Sequence, residues 1–186
     1  MGQAITRGFN VLVHPSRTWE GLRNQRDRTE VLLMAYALVF AVLPFLGRAL
    51  GHLMMDWEPV SLLLDAILYP MLCLGLVLAL GFGLGAAAPR LAGVDDRTAA
   101  LHLALYASTP LWIAGLLYVV PVAFLHTVFP FLGIAWTGWL LFTGVHEVLG
   151  VRADRSIPWI ALLFALFTLG FVVATQVVLT HMFTRG

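Results

Sequence analysis

His146 and Glu147 open the pattern of a zinc-protease helix, in which two histidines four residues apart hold the metal and the glutamate works on its water. The second histidine would fall at position 150, which is Gly150. No G-x-S-x-G turn that would expose a nucleophilic serine is present, and no glycine-rich loop ending in Lys-Ser or Lys-Thr that would cradle a phosphate. Cys73 is the single cysteine, which excludes an intrachain disulfide and a cysteine metal cluster. No catalytic residue, metal or cofactor is therefore expected, and the chain reads as a non-enzyme. What remains is a set of ionisable residues in apolar surroundings. Arg48 and Asp65 lie equidistant from the middle of the turn that separates their two apolar runs. A charge in hydrocarbon is costly unless paired or hydrated, so an Arg48–Asp65 interaction is predicted, locking the hairpin or lining a polar cavity. A second hairpin, turning at Pro121–Ala123, brings His102 level with His146 and Glu147. Two imidazoles and a carboxylate can bind a divalent metal or relay protons. The plainer reading is histidines near the membrane surface, bonded to polar neighbours or water.

The elements that carry these residues are set by lipid. Of 186 residues, 60% are hydrophobic and 11% charged, with a mean hydropathy of +0.89. A water-soluble domain needs more polar surface than this to cover its core. Net charge is +1, and no basic field suggests nucleic acid. All 11 basic residues are arginine, a usage that fits a GC-rich, bacterial coding bias. A helix needs roughly 20 apolar residues to cross the hydrocarbon core. Residues 98–146 contain no Asp, Glu or Arg, a stretch suited to two spans with a tight apolar turn near Pro121. The expected fold is all-α: a polytopic bundle of about five transmembrane helices. An amphipathic arm over 1–29 precedes a transmembrane domain over 30–186, with spans near 31–51, 60–88, 98–119, 127–149 and 157–181.

Orientation follows from the retention of basic residues on the cytoplasmic side. With the N-terminus inside, nine arginines fall inside (7, 17, 23, 26, 28, 90, 97, 152 and 155) and two outside (48 and 185). The chain is thus expected in the bacterial inner membrane, N-terminus cytoplasmic and C-terminus outside. No cleavable signal peptide is visible in residues 1–30, so the first span is expected to target the chain. In the arm, Ile5, Phe9, Leu12 and Val13 recur at helical spacing, Pro15 interrupts, and Trp19 and Leu22 resume the stripe. A short amphipathic pair on the inner leaflet is predicted, the alternative being a tail packed on the bundle. Gly81 and Gly85 form a G-x-x-x-G spacing that lets helix backbones approach closely, within the bundle or between copies. Prolines inside or beside spans (44, 70, 110, 121, 130 and 158) are expected to kink helices, with Ser108 and Thr109 placed to satisfy carbonyls freed by Pro110.

Several stretches together resemble the Yip family (Ypt/Rab-interacting-protein-like membrane proteins), in its bacterial branch of small five-span members. HPSRTWEGL carries a proline and a tryptophan four residues later, Pro15 and Trp19. GVDDRTAALHLALYASTPLWIAGLLYVVP carries Tyr106, Ala107, Pro110 and Pro121, similar to the family's Ala-Tyr-Ala and its two following prolines. Gly144 in FTGVHEVLGV has a family counterpart near the inner end of helix four. The Asp-Leu-Tyr-Gly-Pro signature of eukaryotic members is absent, so Rab binding is not carried over. The resemblance implies a five-span fold and a non-enzymatic role in membrane organisation or trafficking. The expected function is a membrane adaptor or scaffold; the alternative is a small transporter or channel for solute or lipid. Expected partners are the bilayer, a protein met through the N-terminal arm and further copies of the chain.

Overall fold

The computed structural model describes residues 2–24, 36, 38–53, 59–91, 93, 95–120 and 122–183. Among these, every regular element is helical. The elements are α1 (Gly2–Val13), α2 (Pro15–Asn24), α3 (Leu38–Leu53), α4 (Pro59–Ala87), α5 (Arg97–Ala107), α6 (Thr109–Leu116), α7 (Ala123–Leu149) and α8 (Ala153–Phe183). In lipid every backbone N–H and C=O must be satisfied within the segment, which is why apolar sequence of this length folds as helix. Three described stretches are long and apolar enough to cross a membrane: Leu68–Leu91, Arg97–Val119 and Val128–Leu149. Shorter apolar stretches lie in α3 (Val42–Gly51) and α8 (Ile157–Val173). The protein is a multi-pass membrane protein.

The stretch formed by α5 and α6 is the centre of the bundle, and every residue from Ala99 to Trp112 is buried. Asp96 caps α5, its Oδ1 accepting from the Ala99 amide at 2.9 Å. This side chain satisfies one of the donors that a helix start leaves open. The helix breaks at Ser108 because Pro110 has no amide hydrogen and its ring displaces the carbonyl four residues earlier, that of Tyr106. Thr109 Oγ1 donates to that carbonyl at 2.6 Å, and Ser108 Oγ donates to Ala104 O at 2.8 Å. The Thr109 hydroxyl thus closes the gap the proline opens. A 3-10 turn (Leu117–Val119) ends the segment, and the chain resumes as helix at Ala123. Pro121 itself lies outside the described residues.

Contacts at glycines set the directions of the helices. Against α6, the Pro44 ring of α3 sits on Gly115, and Gly51 meets the Tyr118 carbonyl, so the two segments run the same way. Gly81 and Gly85 of α4 face α5: a methyl group on Gly81 would lie 3.0 Å from Leu101 Cα, and one on Gly85 3.2 Å from Arg97 Cα. Rising numbers on α4 meet falling numbers on α5, an antiparallel pair in backbone contact. α8 closes the far side of α4, where Gly83 meets Leu163 and Gly170 meets Leu76.

Candidate functional site

The arm is built onto the bundle. In α1, Ala4, Gly8 and Val11 form a buried stripe, while Phe9 and Val13 are exposed and polar Asn10 points elsewhere. Residues three and four apart share a helix face, so α1 presents one face to protein, one apolar face outward and one polar face. Gly8 admits the Tyr36 ring, which Phe40 and Tyr106 flank at centroid distances of 4.4 and 4.8 Å. Tyr36 and Thr109 are hydrogen-bonded through their hydroxyls. Since the Thr109 hydrogen goes to Tyr106 O, Tyr36 is the donor. The aromatic layer beneath the arm therefore rests on the same threonine that repairs the proline break.

Pro15 opens α2 and fixes the backbone angle of its first turn. One turn later Thr18, Trp19 and Leu22 point inward, whereas Ser16, Arg17, Glu20 and Arg23 stay exposed. Trp19 and Leu22 are 0% exposed, so Trp19 is buried in protein and is not an interfacial aromatic. The Trp19 ring lies against Gly144 of α7: a methyl group there would stand 3.1 Å from Trp19 Cε2 and would collide with Leu103 Cδ1. Trp19 Nε1–H donates to Thr143 Oγ1 at 3.2 Å, and Thr143 in turn donates to backbone carbonyls of its own helix, those of Leu140 and Trp139. A tryptophan buried this fully needs both an apolar slot and a partner for its N–H. Gly144 supplies the slot and Thr143 the partner.

The positions of Pro15, Trp19, Tyr106, Pro110 and Gly144 thus converge on one seam, where the arm docks on α5, α6 and α7. Sequence reasoning singled out neither Tyr36 nor Thr143: Thr143 is a hydroxyl next to Gly144, and Tyr36 adjoins none of the positions named above.

His102 is fully buried on α5, and His146 Nδ1 donates to Phe142 O at 2.6 Å beside the Phe142 ring. Glu147 is exposed. Among the described residues no three His, Cys, Asp or Glu side chains come together as metal ligands. Arg48 is 7% exposed, its guanidinium 4.5 Å from the Tyr69 ring centroid and 5.3 Å from that of Tyr118. Ring faces carry negative charge, which favours a cation held away from water. The Asp65 side chain lies outside the described residues. Its backbone stands one turn before Tyr69 on α4, in register with Cys73 a turn further on.

No curated protein and no solved structure matches the chain. A family model described as the Yip1 domain matches residues 9–174, from the middle of α1 into α8. That span contains the docked half of the arm, its seat and every membrane-crossing stretch described above, and the chain belongs to the Yip1 domain family.

Proposed function

We propose that the protein is a non-enzymatic membrane adaptor or scaffold of five spans, with its arm and the α4–α5 and α7–α8 turns on the cytoplasmic side of a bacterial inner membrane. The observation that carries this reading is the docked arm. Trp19 and Leu22 are used up inside the bundle, which leaves Ser16, Arg17, Glu20 and Arg23 as a fixed polar face at the arginine-rich end. A face held rigidly loses little entropy on binding, which favours recognition by a protein partner. The basic residues clustered at that end support the cytoplasmic assignment. The test is photo-crosslinking from positions 16 and 20 in native membranes. A discrete protein adduct that disappears in Arg17→Glu/Arg23→Glu, with membrane insertion intact, is the expected result. Adducts with lipid alone would overturn the adaptor reading.

A second reading, a small transporter or channel, is favoured by the buried Arg48 between two tyrosines, because ionisable groups within spans commonly mark pathways. Solute flux in proteoliposomes that Arg48→Met abolishes would move the weight to it.

A further inference from the structure

Two turns of this chain carry nearly the same residues. Leu91-Ala92-Gly93-Val94-Asp95-Asp96-Arg97-Thr98 leads from α4 into α5, and Leu149-Gly150-Val151-Arg152-Ala153-Asp154-Arg155-Ser156 leads from α7 into α8. Gly93 lies against Val151 and the Leu149 carbonyl, so the two like turns touch. The likeness runs back along α4 and α7 at a shift of 57 positions, that from Gly93 to Gly150. Gly81-Phe82 answers to Gly138-Trp139, and Leu84 to Leu141. Phe82 and Trp139 are both exposed. Val77, Leu80, Leu84, Ala87, Ala88 and Leu91 are buried, and so is each residue 57 positions further on.

The contacts repeat with the residues. Gly81 of α4 receives Leu101 of α5, the helix that follows it, and Gly138 of α7 receives Phe164 of α8, the helix that follows it. The second turn is one residue longer, so α5–α6 and α8 correspond at a shift of 58, that from Arg97 to Arg155. These two shifts also carry one inter-hairpin contact onto the other. Leu76 of α4 covers Gly170 of α8, and the corresponding pair is Gly133 with Trp112. Gly133 lies on Leu111 and Ala114, to either side of Trp112.

We infer that α4 with α5–α6, and α7 with α8, are two copies of one helical hairpin. A two-fold axis along the bundle relates them and passes between the touching turns. Self-similarity at a fixed shift is the sequence sign of a repeat. Both hairpins run the same way, the arrangement of membrane proteins built from parallel repeats. The arm and α3 are the addition that breaks the two-fold. The arm's seat lies where the copies differ: the first hairpin has Ala86 and Ala87 where the second has Thr143 and Gly144, the acceptor and the slot of Trp19. The first hairpin offers no hydroxyl there, so the arm has one seat on a bundle that is otherwise two-sided.

The test is a scan of single substitutions in the full-length chain over residues 76–93 and 133–150, reading the folded, membrane-inserted yield of each variant. The tolerance profiles of the two stretches are expected to superpose best at a shift of 57, Gly81 matching Gly138 and Leu84 matching Leu141. A shift three or four residues shorter or longer sets the same helix faces together without the repeat. A best match at one of those, or at no shift, overturns the inference. The two turns are then exchanged within one chain, residues 91–98 for residues 149–156 and the reverse. The exchanged protein is expected to melt within about 4 °C of the parent, and a chain with both turns scrambled well below it. An exchanged chain no more stable than the scrambled one overturns the inference as well.

Discussion

Trp19 and Gly144 are 125 positions apart in the chain and in contact in the fold, so each can be tested through the other. A side chain at Gly144 has no room, because Leu103 and the indole already fill the space its Cβ would take. Gly144→Val is expected to push on both Leu103 and the indole, so the arm loses its seat and protease cleavage between α2 and α3 should accelerate. Trp19→Ala leaves a cavity in the same place and should cost about 3 kcal/mol of stability, read by thermal unfolding in detergent. Both variants should give the same cleavage pattern, since both empty one seat. At Arg48 the expectation is different in kind. Helical register sets Asp65 on the stripe of Tyr69 that the guanidinium covers. Loss of either charge leaves the other in hydrocarbon, so Arg48→Met and Asp65→Asn should each lower the yield of folded protein. The exchange Arg48→Asp/Asp65→Arg should recover most of it.

Between elements, backbone proximity is the dominant relation. The α4–α5 pair meets at Gly81 and Gly85, whereas Gly75 on the same helix has nothing within 4 Å of where a Cβ would stand. Gly81→Leu should therefore lower the melting temperature by several degrees while Gly75→Leu leaves it unchanged, a contrast that a general loss of glycine flexibility would not produce. The break between α5 and α6 has its own test. Thr109→Val deprives the Tyr106 carbonyl of its donor and Tyr36 of its acceptor, at a cost of about 1–3 kcal/mol for each buried group left open. The order Ser108-Thr109-Pro110 made this repair readable from sequence, since it depends on neighbours in the chain. The all-helical, membrane-crossing character of the chain was readable too, because apolar sequence in hydrocarbon must satisfy its own backbone groups. The docking of the arm was not. An amphipathic stripe records that one face is apolar, and it reads the same whether that face meets lipid or protein. The quoted family positions likewise gave no sign of being neighbours, because contacts across a hundred residues leave no local spacing.

As a whole α3, α4, the joined α5 and α6, α7 and α8 alternate in direction, with the α4–α5 and α7–α8 turns in contact at Gly93, Val151 and Leu149. Reporter fusions after Gly93 and Ala153 should accordingly read the same side as the N-terminus, and fusions after Met55 and Leu125 the opposite side. The arm adds an asymmetry of time to this arrangement. It precedes its seat in the chain: the acceptor for its indole, Thr143, is 124 residues further along. At ordinary synthesis rates that interval is on the order of 10 s. During it, Trp19 and Leu22 have no slot to enter, and the newborn arm is a greasy, cationic peptide beside the insertion machinery. The arm is thus made well before its seat exists, and its docking reports that α7 is in place.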